Sequence, residues 1–345
     1  MELNGTLYQE QALREAARAA NLRYVRDDVP GITRKASRRN GFIYFAPTNE
    51  RITKDSVIER IHMLAIPPAY QDVWICPDAN GHLQATGRDA RKRKQYRYHP
   101  EWTQIRSETK FGQLAAFAQA LPKIRRTLDT HLRKRTLCRE KVLAAVVTLM
   151  DQCHIRVGND TYAKENGTYG LTTLRKKHVE LAGDTIRFSF KGKSGKQWEC
   201  GLQSRPIARV VQHCEELPGQ ELFKYVDDAG ELRDVTSDDV NRYIQEISGG
   251  PFTAKDFRTW AATAHAINLL GVLAPQDSAR QTAMALNSTI KEIATAMGHT
   301  PAICRKSYIY PGVLDCFSEG ALTAWYAKEQ HRADHEMVQR FIKKW

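Results

Sequence analysis

The chain has 345 residues, 42% hydrophobic and 26% charged, a balance that suits a globular protein with room for two domains and excludes a disordered one. Its 52 Lys and Arg face 39 Asp and Glu, and the formal net charge of +13 favours a polyanionic partner without naming it. Seven cysteines without a C-x-x-C pair argue against a disulfide framework and structural zinc; the absence of a signal pattern or an 18-residue apolar run predicts an intracellular, reducing setting with no membrane partner.

In chain order, Leu13, Ala16, Ala17 and Ala20 predict an opening helix over 7–20, and Val57, Ile58, Ile61 and Leu64 another over 54–65. Short apolar runs at 41–45, 73–76 and 83–86, bounded by Pro, Gly, Asn and Asp, read as strands, so the first hundred residues form a small α+β unit. Arg88, Arg91, Lys92, Arg93, Lys94 and Arg97 follow, interleaved with aromatics in Gln95-Tyr96-Arg97-Tyr98-His99-Pro100. Paired tyrosines in a strand between basic residues suit stacking and phosphate contact together. From about 105 the pattern turns helical, with Leu114, Phe117 and Leu121, and then a core stripe of Leu143, Val146, Val147, Met150 and Cys153. Eight basic residues between Lys123 and Lys141 form a second cluster that favours a polyanionic partner, with a solvated face as its plainer alternative.

Three strands with tight Gly-containing turns interrupt the helices at 178–181, 185–190 and 197–200. Helices resume after 204. Thr253-x-x-Asp256 is a capping box that opens a helix through Trp260 and Ala264 toward Gly271, placing Arg258 in its first turns. Helices over 288–297 and 319–342 complete the set, and the polar stretch Arg106-Ser107-Glu108 marks the expected boundary between domains 1–105 and 106–345. The predicted fold is α+β: a small β-rich N-terminal domain, then a larger, mainly α-helical domain with a three-stranded sheet.

Near the C-terminus, Met297-Gly298-His299-Thr300-Pro301 sets an imidazole nine residues before the phenol of Tyr308, a pattern that points to tyrosine chemistry on a DNA phosphate. Cleaving a phosphodiester without a metal needs a nucleophile, positive charge for the non-bridging oxygens and an acid for the leaving oxygen. Tyr308 is the candidate nucleophile, and since a free phenol ionises near pH ~10 it needs cationic neighbours. Arg156 and Arg258 can hold phosphate oxygens in a planar fork, His299 adds a donor, and Lys193, in the turn of Phe190-Lys191-Gly192-Lys193-Ser194-Gly195-Lys196, can deliver a proton. Tyr310 rivals Tyr308, and Lys191 and Lys196 rival Lys193; each residue alone is a weak signal.

Taken in order, Arg156 with Gly158-Asn159 and Lys164-Glu165-Asn166, Phe190-x-Gly192-Lys193, Phe257-Arg258-Thr259 and Gly298-His299-Thr300 leading to Tyr308 resemble type IB DNA topoisomerases of the compact poxvirus-like and bacterial branch. Ile66-Pro67-Pro68-Ala69-Tyr70 and Ala85-Thr86-Gly87-Arg88-Asp89 resemble that branch's small β-rich domain, so the similarity spans most of the chain. The resemblance implies a monomer clamping duplex DNA. Tyr308 becomes linked to the 3′ end, Arg156, Arg258 and His299 stabilise the transition state, and Lys193, with Arg156, protonates the 5′ oxygen. It further implies strand rotation that relaxes supercoils of either sign with no ATP, metal or other cofactor, and DNA contacts from Arg93, Gln95, Tyr96, Tyr98 and Tyr162.

Other readings fare worse. Gly192-Lys193-Ser194 imitates the end of a phosphate-binding loop, but position 187, where the first glycine belongs, is Arg. His331 and His335 have helical i, i+4 spacing without a protease glutamate, and paired acids such as Asp227-Asp228 lack a metal scaffold. A tyrosine recombinase shares the catalytic constellation and is the main alternative, although Lys255 stands where its histidine is expected. A basic DNA-binding protein without catalysis is the other.

Overall fold

The computed structural model describes residues 2–37 and 41–345, with the side chains of 2–9, 12, 162 and 194 outside the described ones. Two compact units divide the chain, Met1–Lys110 and Phe111–Trp345. No helix among the described residues is long and apolar enough to cross a membrane.

The N-terminal unit begins with helix α1 (Glu2–Ala19), then carries strands β1 (Ile32–Ala36) and β2 (Phe42–Phe45), helix α2 (Asp55–Met63), and strands β3 (Gln71–Ile75), β4 (Leu83–Arg88) and β5 (Lys94–Tyr98). The five strands form one sheet in the order β2-β1-β3-β4-β5, antiparallel throughout. Ile32, Tyr44, Val73, Ile75 and Ala85 project from the sheet onto Ile61 of α2, the minimal core that lets a sheet this size stand. Gln84 is buried, and its amide donates to the carbonyls of Ala79 and Gly81 while its oxygen accepts from Arg60. The polar position thus closes a turn instead of breaking the core.

Helix α3 (Pro100–Leu132) runs through the polar stretch 106–108, and the larger unit continues with α4 (Arg139–Cys153) and the short α5 (Asp160–Asn166). Strands β6 (Val179–Ala182), β7 (Thr185–Lys191) and β8 (Gln197–Gln203) make a three-stranded antiparallel sheet. Helix α6 (Arg205–Glu216) and a small hairpin of β9 (Lys224–Val226) and β10 (Leu232–Asp234) follow. Then come α7 (Ser237–Ser248), α8 (Ala254–Gly271), α9 (Ala279–Ala296), α10 (Pro301–Ser307), α11 (Pro311–Ser318), α12 (Ala321–Glu329) and α13 (Asp334–Lys344). Helix α4 is the axis of this unit: Val142 to Val147 are all fully buried, well beyond a single stripe, because α6, α7 and α8 pack around it. Each buried valine or leucine side chain there contributes about 1.5–3 kcal/mol.

Two expectations need correction. The predicted helix over 319–342 is two helices broken at 330–333, so His331 lies in the turn and shares no helix with His335. The helix predicted to begin at 288 starts at Ala279, capped by the Ser278 hydroxyl, which accepts from the Gln281 N–H. No group of three or more His, Cys, Asp or Glu able to hold a metal occurs among the described residues.

Candidate active site

Arg156 owes its place to backbone geometry. Helix α4 ends at His154 in the left-handed conformation (φ 54°), which turns the chain sharply, and buried Ile155 anchors the next residue. The Arg156 and Val157 carbonyls then accept from Leu171 and Thr172 at 2.8 and 2.7 Å, pinning this segment to the 170–172 turn. Gly158 and Gly170 touch so closely there that a Cβ on Gly170 would sit 2.6 Å from the Arg156 carbonyl oxygen.

Arg258 sits one turn into α8, whose start is fixed by the Asp256 carboxylate accepting the Thr253 N–H and hydroxyl at 2.7 and 2.9 Å. The residue is 5% exposed. It donates to the carbonyls of His154 and Met297, and at 2.7 Å to Nε2 of His299. A guanidinium has no acceptor, so Nε2 must accept and the hydrogen of a neutral His299 resides on Nδ1, which is buried without a partner among the described residues. Burial, reinforced by Arg258, Arg156, Lys196 and Lys193, pushes the His299 pKa down to about 2. The imidazole is therefore neutral at physiological pH.

Tyr308 ends helix α10 in a non-helical conformation (φ −134°, ψ −31°), and its ring stacks on His299 with centroids 3.9 Å apart and planes 22° from parallel. The phenol hydroxyl lies within hydrogen-bonding reach of Arg258, whose cation stands 5.8 Å from the ring centre. Burial, and for Arg258 also the nearby Arg156, lowers both guanidinium pKa values, while Tyr308 raises them. Two like charges this close in a buried setting are ready for an anion.

A cavity of about 330 Å³ opens here, lined by Arg156, Lys193, Arg258 and Tyr308 together with Asn159, Tyr169 and Lys255. Lys193 lies in the turn between β7 and β8, exposed, and its ammonium has no hydrogen bond or ion pair to another described residue. Four of the five predicted catalytic residues thus line one cavity and the fifth, His299, stacks on the fourth. Of the rivals, Tyr310 packs its ring edge-on to Phe111 and Phe341, and Lys196 donates to the His299 carbonyl at 2.7 Å. Gly192-Lys193-Ser194 sits between two strands in a single 3-10 turn, with no α-helix following it whose N-terminus could hold a nucleotide phosphate. The cavity's cations and phenol can bind a phosphodiester and stabilise charge that develops on it.

Sequence reasoning misses Thr263, whose hydroxyl donates to the Tyr308 carbonyl and accepts from the Tyr310 N–H, at 3.2 and 3.1 Å. It reads as one more small residue of a helix, and only the fold brings it to Tyr308. Lys255 stands out in the sequence only as a departure from the recombinase pattern; its spacing of three from Arg258 puts both on one face of α8.

The predicted DNA-contacting residues of the N-terminal unit lie on or beside β5. Tyr96 and Tyr98 are 48% and 44% exposed, with rings 6.0 Å apart and 7° from parallel. Arg93 and Gln95 are drawn to Asp89, which accepts from both and from the Arg91 and Arg93 N–H groups. Hydrogen bonding from Arg93 holds the Asp89 pKa down to about 2. Tyr162 lies on α5, but its side chain is outside the described ones.

Comparison with known proteins agrees along most of the chain. The profile of the eukaryotic DNA topoisomerase I catalytic core matches residues 99–319, and that of the bacterial DNA topoisomerase IB N-terminal domain matches residues 41–89. DNA topoisomerase 1B of Acanthamoeba polyphaga mimivirus is 33% identical over 294 residues, covering 83% of this chain and 87% of the viral protein. The vaccinia virus (strain Copenhagen) DNA topoisomerase 1B is 26% identical over 251 residues, covering 71% and 75%, and the monkeypox virus DNA topoisomerase I is 27% identical over 252, with the same coverage. With the catalytic-core profile spanning well over half its length, the chain belongs to the type IB DNA topoisomerases.

Proposed function

We propose that Tyr308 attacks the scissile phosphate of duplex DNA, joins the 3′ end and leaves a free 5′ hydroxyl. Arg156 and Arg258 exchange their carbonyl partners for the non-bridging oxygens, and His299, released from Arg258, turns its ring nitrogen to the same oxygens. Lys193, with Arg156, protonates the departing 5′ oxygen. Reversal reseals the strand, and rotation of the free end between the two steps relaxes supercoils of either sign. The phosphotyrosyl bond conserves the energy of the bond it replaces, so the cycle draws on no ATP, and the fixed guanidinium charges occupy the role a metal would fill.

In this reading residues 1–105 are a DNA-binding domain, with Arg93, Gln95, Tyr96 and Tyr98 toward the duplex and Tyr162 joining them from the catalytic domain, 106–345. The enzyme works as a monomer in the compartment that holds the DNA, the cytoplasm and nucleoid in a bacterial host. The observation that carries the proposal is the stack of Tyr308 on His299 beside the paired guanidinium groups of Arg156 and Arg258.

Supercoiled plasmid incubated with the protein in excess chelator, without nucleotide, is expected to relax fully, and peptide mapping of a detergent-trapped adduct is expected to find the nucleotide on Tyr308. Tyr308→Phe keeps DNA binding and loses relaxation. Activity abolished by chelator, or an adduct on another side chain, overturns the mechanism.

A further inference from the structure

Three consecutive carbonyl groups at the 297–299 turn each accept from a different cation. Arg258 donates to Met297 at 2.5 Å, Arg156 to Gly298 at 3.0 Å and Lys196 to His299 at 2.7 Å. The two arginines also line the cavity; Lys196 does not. Lys196 instead belongs to the β7–β8 hairpin, three residues beyond Lys193, in a turn closed by the Gly192 N–H donating to the Lys196 carbonyl and the Gly195 N–H to the Gly192 carbonyl, at 2.8 and 3.1 Å. Gly195 adopts a left-handed φ of 76° that makes so tight a turn possible.

The hairpin meets the same segment a second time. Trp198 of β8 packs beneath Gly298, where an added Cβ would lie 2.2 Å from the indole. Lys196 is an exposed residue that gives up side-chain freedom to hold one backbone carbonyl, while Lys193 on the same turn carries an ammonium with no such tether. An ammonium committed to a carbonyl outside the cavity is poorly placed to deliver a proton inside it.

We infer that Lys196 is a positioning residue: it latches the hairpin that carries Lys193 to the segment that carries His299, and so fixes the reach of Lys193 to the leaving 5′ oxygen. The inference rests on the reading of Lys193 as the general acid, and its test separates the two. The probe is a single-turnover cleavage assay on one duplex, prepared with either oxygen or sulfur as the 5′-bridging atom. A thiolate leaves without a proton donor, whereas an alkoxide needs one, so sulfur rescues only defects in proton delivery.

On the oxygen duplex Lys193→Met is expected to slow cleavage by ~10²–10⁴-fold, the usual contribution of a general acid. Lys196→Met is expected to slow it roughly tenfold, a loss of positioning only, and Lys196→Arg, which keeps a donor, to stay close to the parent. On the sulfur duplex both Met variants recover. A Lys196→Met defect that persists with sulfur overturns the latch, because the residue then acts on His299 or on folding; Lys196→Gln with a thermal midpoint separates those two. A Lys193→Met defect that persists with sulfur overturns the general-acid reading beneath it. An active Lys193→Met beside a sulfur-rescued, inactive Lys196→Met makes Lys196 the acid itself and also overturns the latch.

Discussion

Thr263 lies five residues beyond Arg258 on α8, so one rigid helix supplies both a cation for the cavity and the hydroxyl that ties down the backbone immediately after the Tyr308 side chain, at its carbonyl and at the Tyr310 N–H. A nucleophile on a short helix end would otherwise have freedom along its own attack line, and small misplacements cost large factors in rate. Thr263→Val keeps the shape and removes the hydroxyl, leaving the Tyr310 N–H without its acceptor at a cost of about 1–3 kcal/mol. The thermal midpoint is expected to drop, and single-turnover cleavage to fall by roughly ten- to a hundredfold while duplex affinity holds. An unchanged cleavage rate in folded protein would remove Thr263 from any positioning role. Gly298 is under a comparable constraint: with a φ of 62° and the Trp198 indole 2.2 Å from where a Cβ would stand, it has no room for a side chain, which is why the turn before His299 is glycine.

At the scale of elements, legibility in the sequence depends on whether a pattern is local. The β6-β7-β8 sheet and the α4 stripe show there because alternation and three-four spacing are strong. Strand β1, Ile-Thr-Arg-Lys-Ala, escapes because Arg34 is spent on the carbonyls of Pro67, Pro68 and Tyr70 and stacks its guanidinium on Phe42 at 4.0 Å, so a charged residue sits where an apolar one signals a strand. Helix α7 is legible on the same local grounds, since Thr236 and Asp239 form a capping box and the buried Val240, Tyr243, Ile244 and Ile247 recur at three and four, yet no helix is predicted there. For the site, the order of Arg156, Lys193, Arg258, His299 and Tyr308 is readable, but the stack of His299 on Tyr308 and the carbonyl partners of the cations exist only in three dimensions.

Strand β5 lends itself to a dissection on the same scale. Its exposed tyrosines are uncharged, whereas Arg91 and Lys92 in the preceding turn are exposed cations. Replacing Tyr96 and Tyr98 with Ala is expected to weaken duplex binding at every salt concentration and leave the slope of log affinity against log salt unchanged. Replacing Arg91 and Lys92 with Gln is expected to flatten that slope by up to ~1.8, at ~0.9 for each phosphate no longer neutralised. Equal slopes in all three proteins would take the 91–92 turn away from the phosphates.

Across the whole molecule, six histidines, at 82, 131, 154, 178, 265 and 299, share one condition: burial lowers the pKa of each, down to about 4 at His154 and about 2 at His299. Below the unfolded value near ~6.5 the unfolded chain therefore binds protons that the folded chain refuses, and stability must fall as pH falls. A histidine that stays neutral contributes at most ~1.4 kcal/mol per pH unit in that window, and above it contributes nothing. Carboxylates held low, such as Asp89 and Glu140, enter only at more acid pH, since their unfolded counterparts protonate nearer ~4. Thermal unfolding is thus expected to be insensitive to pH from 7 to 8, with the midpoint descending between pH 6.5 and 5 before the lowered carboxylates take part. Removing one contributor tests the assignment: His154→Asn should flatten the descent relative to the parent while leaving the midpoint above pH 7 less affected. A midpoint that is level or rises between pH 6.5 and 5 would mean that these imidazoles titrate freely in the folded protein, and that the neutral His299 on which the stacked site depends is wrongly assigned.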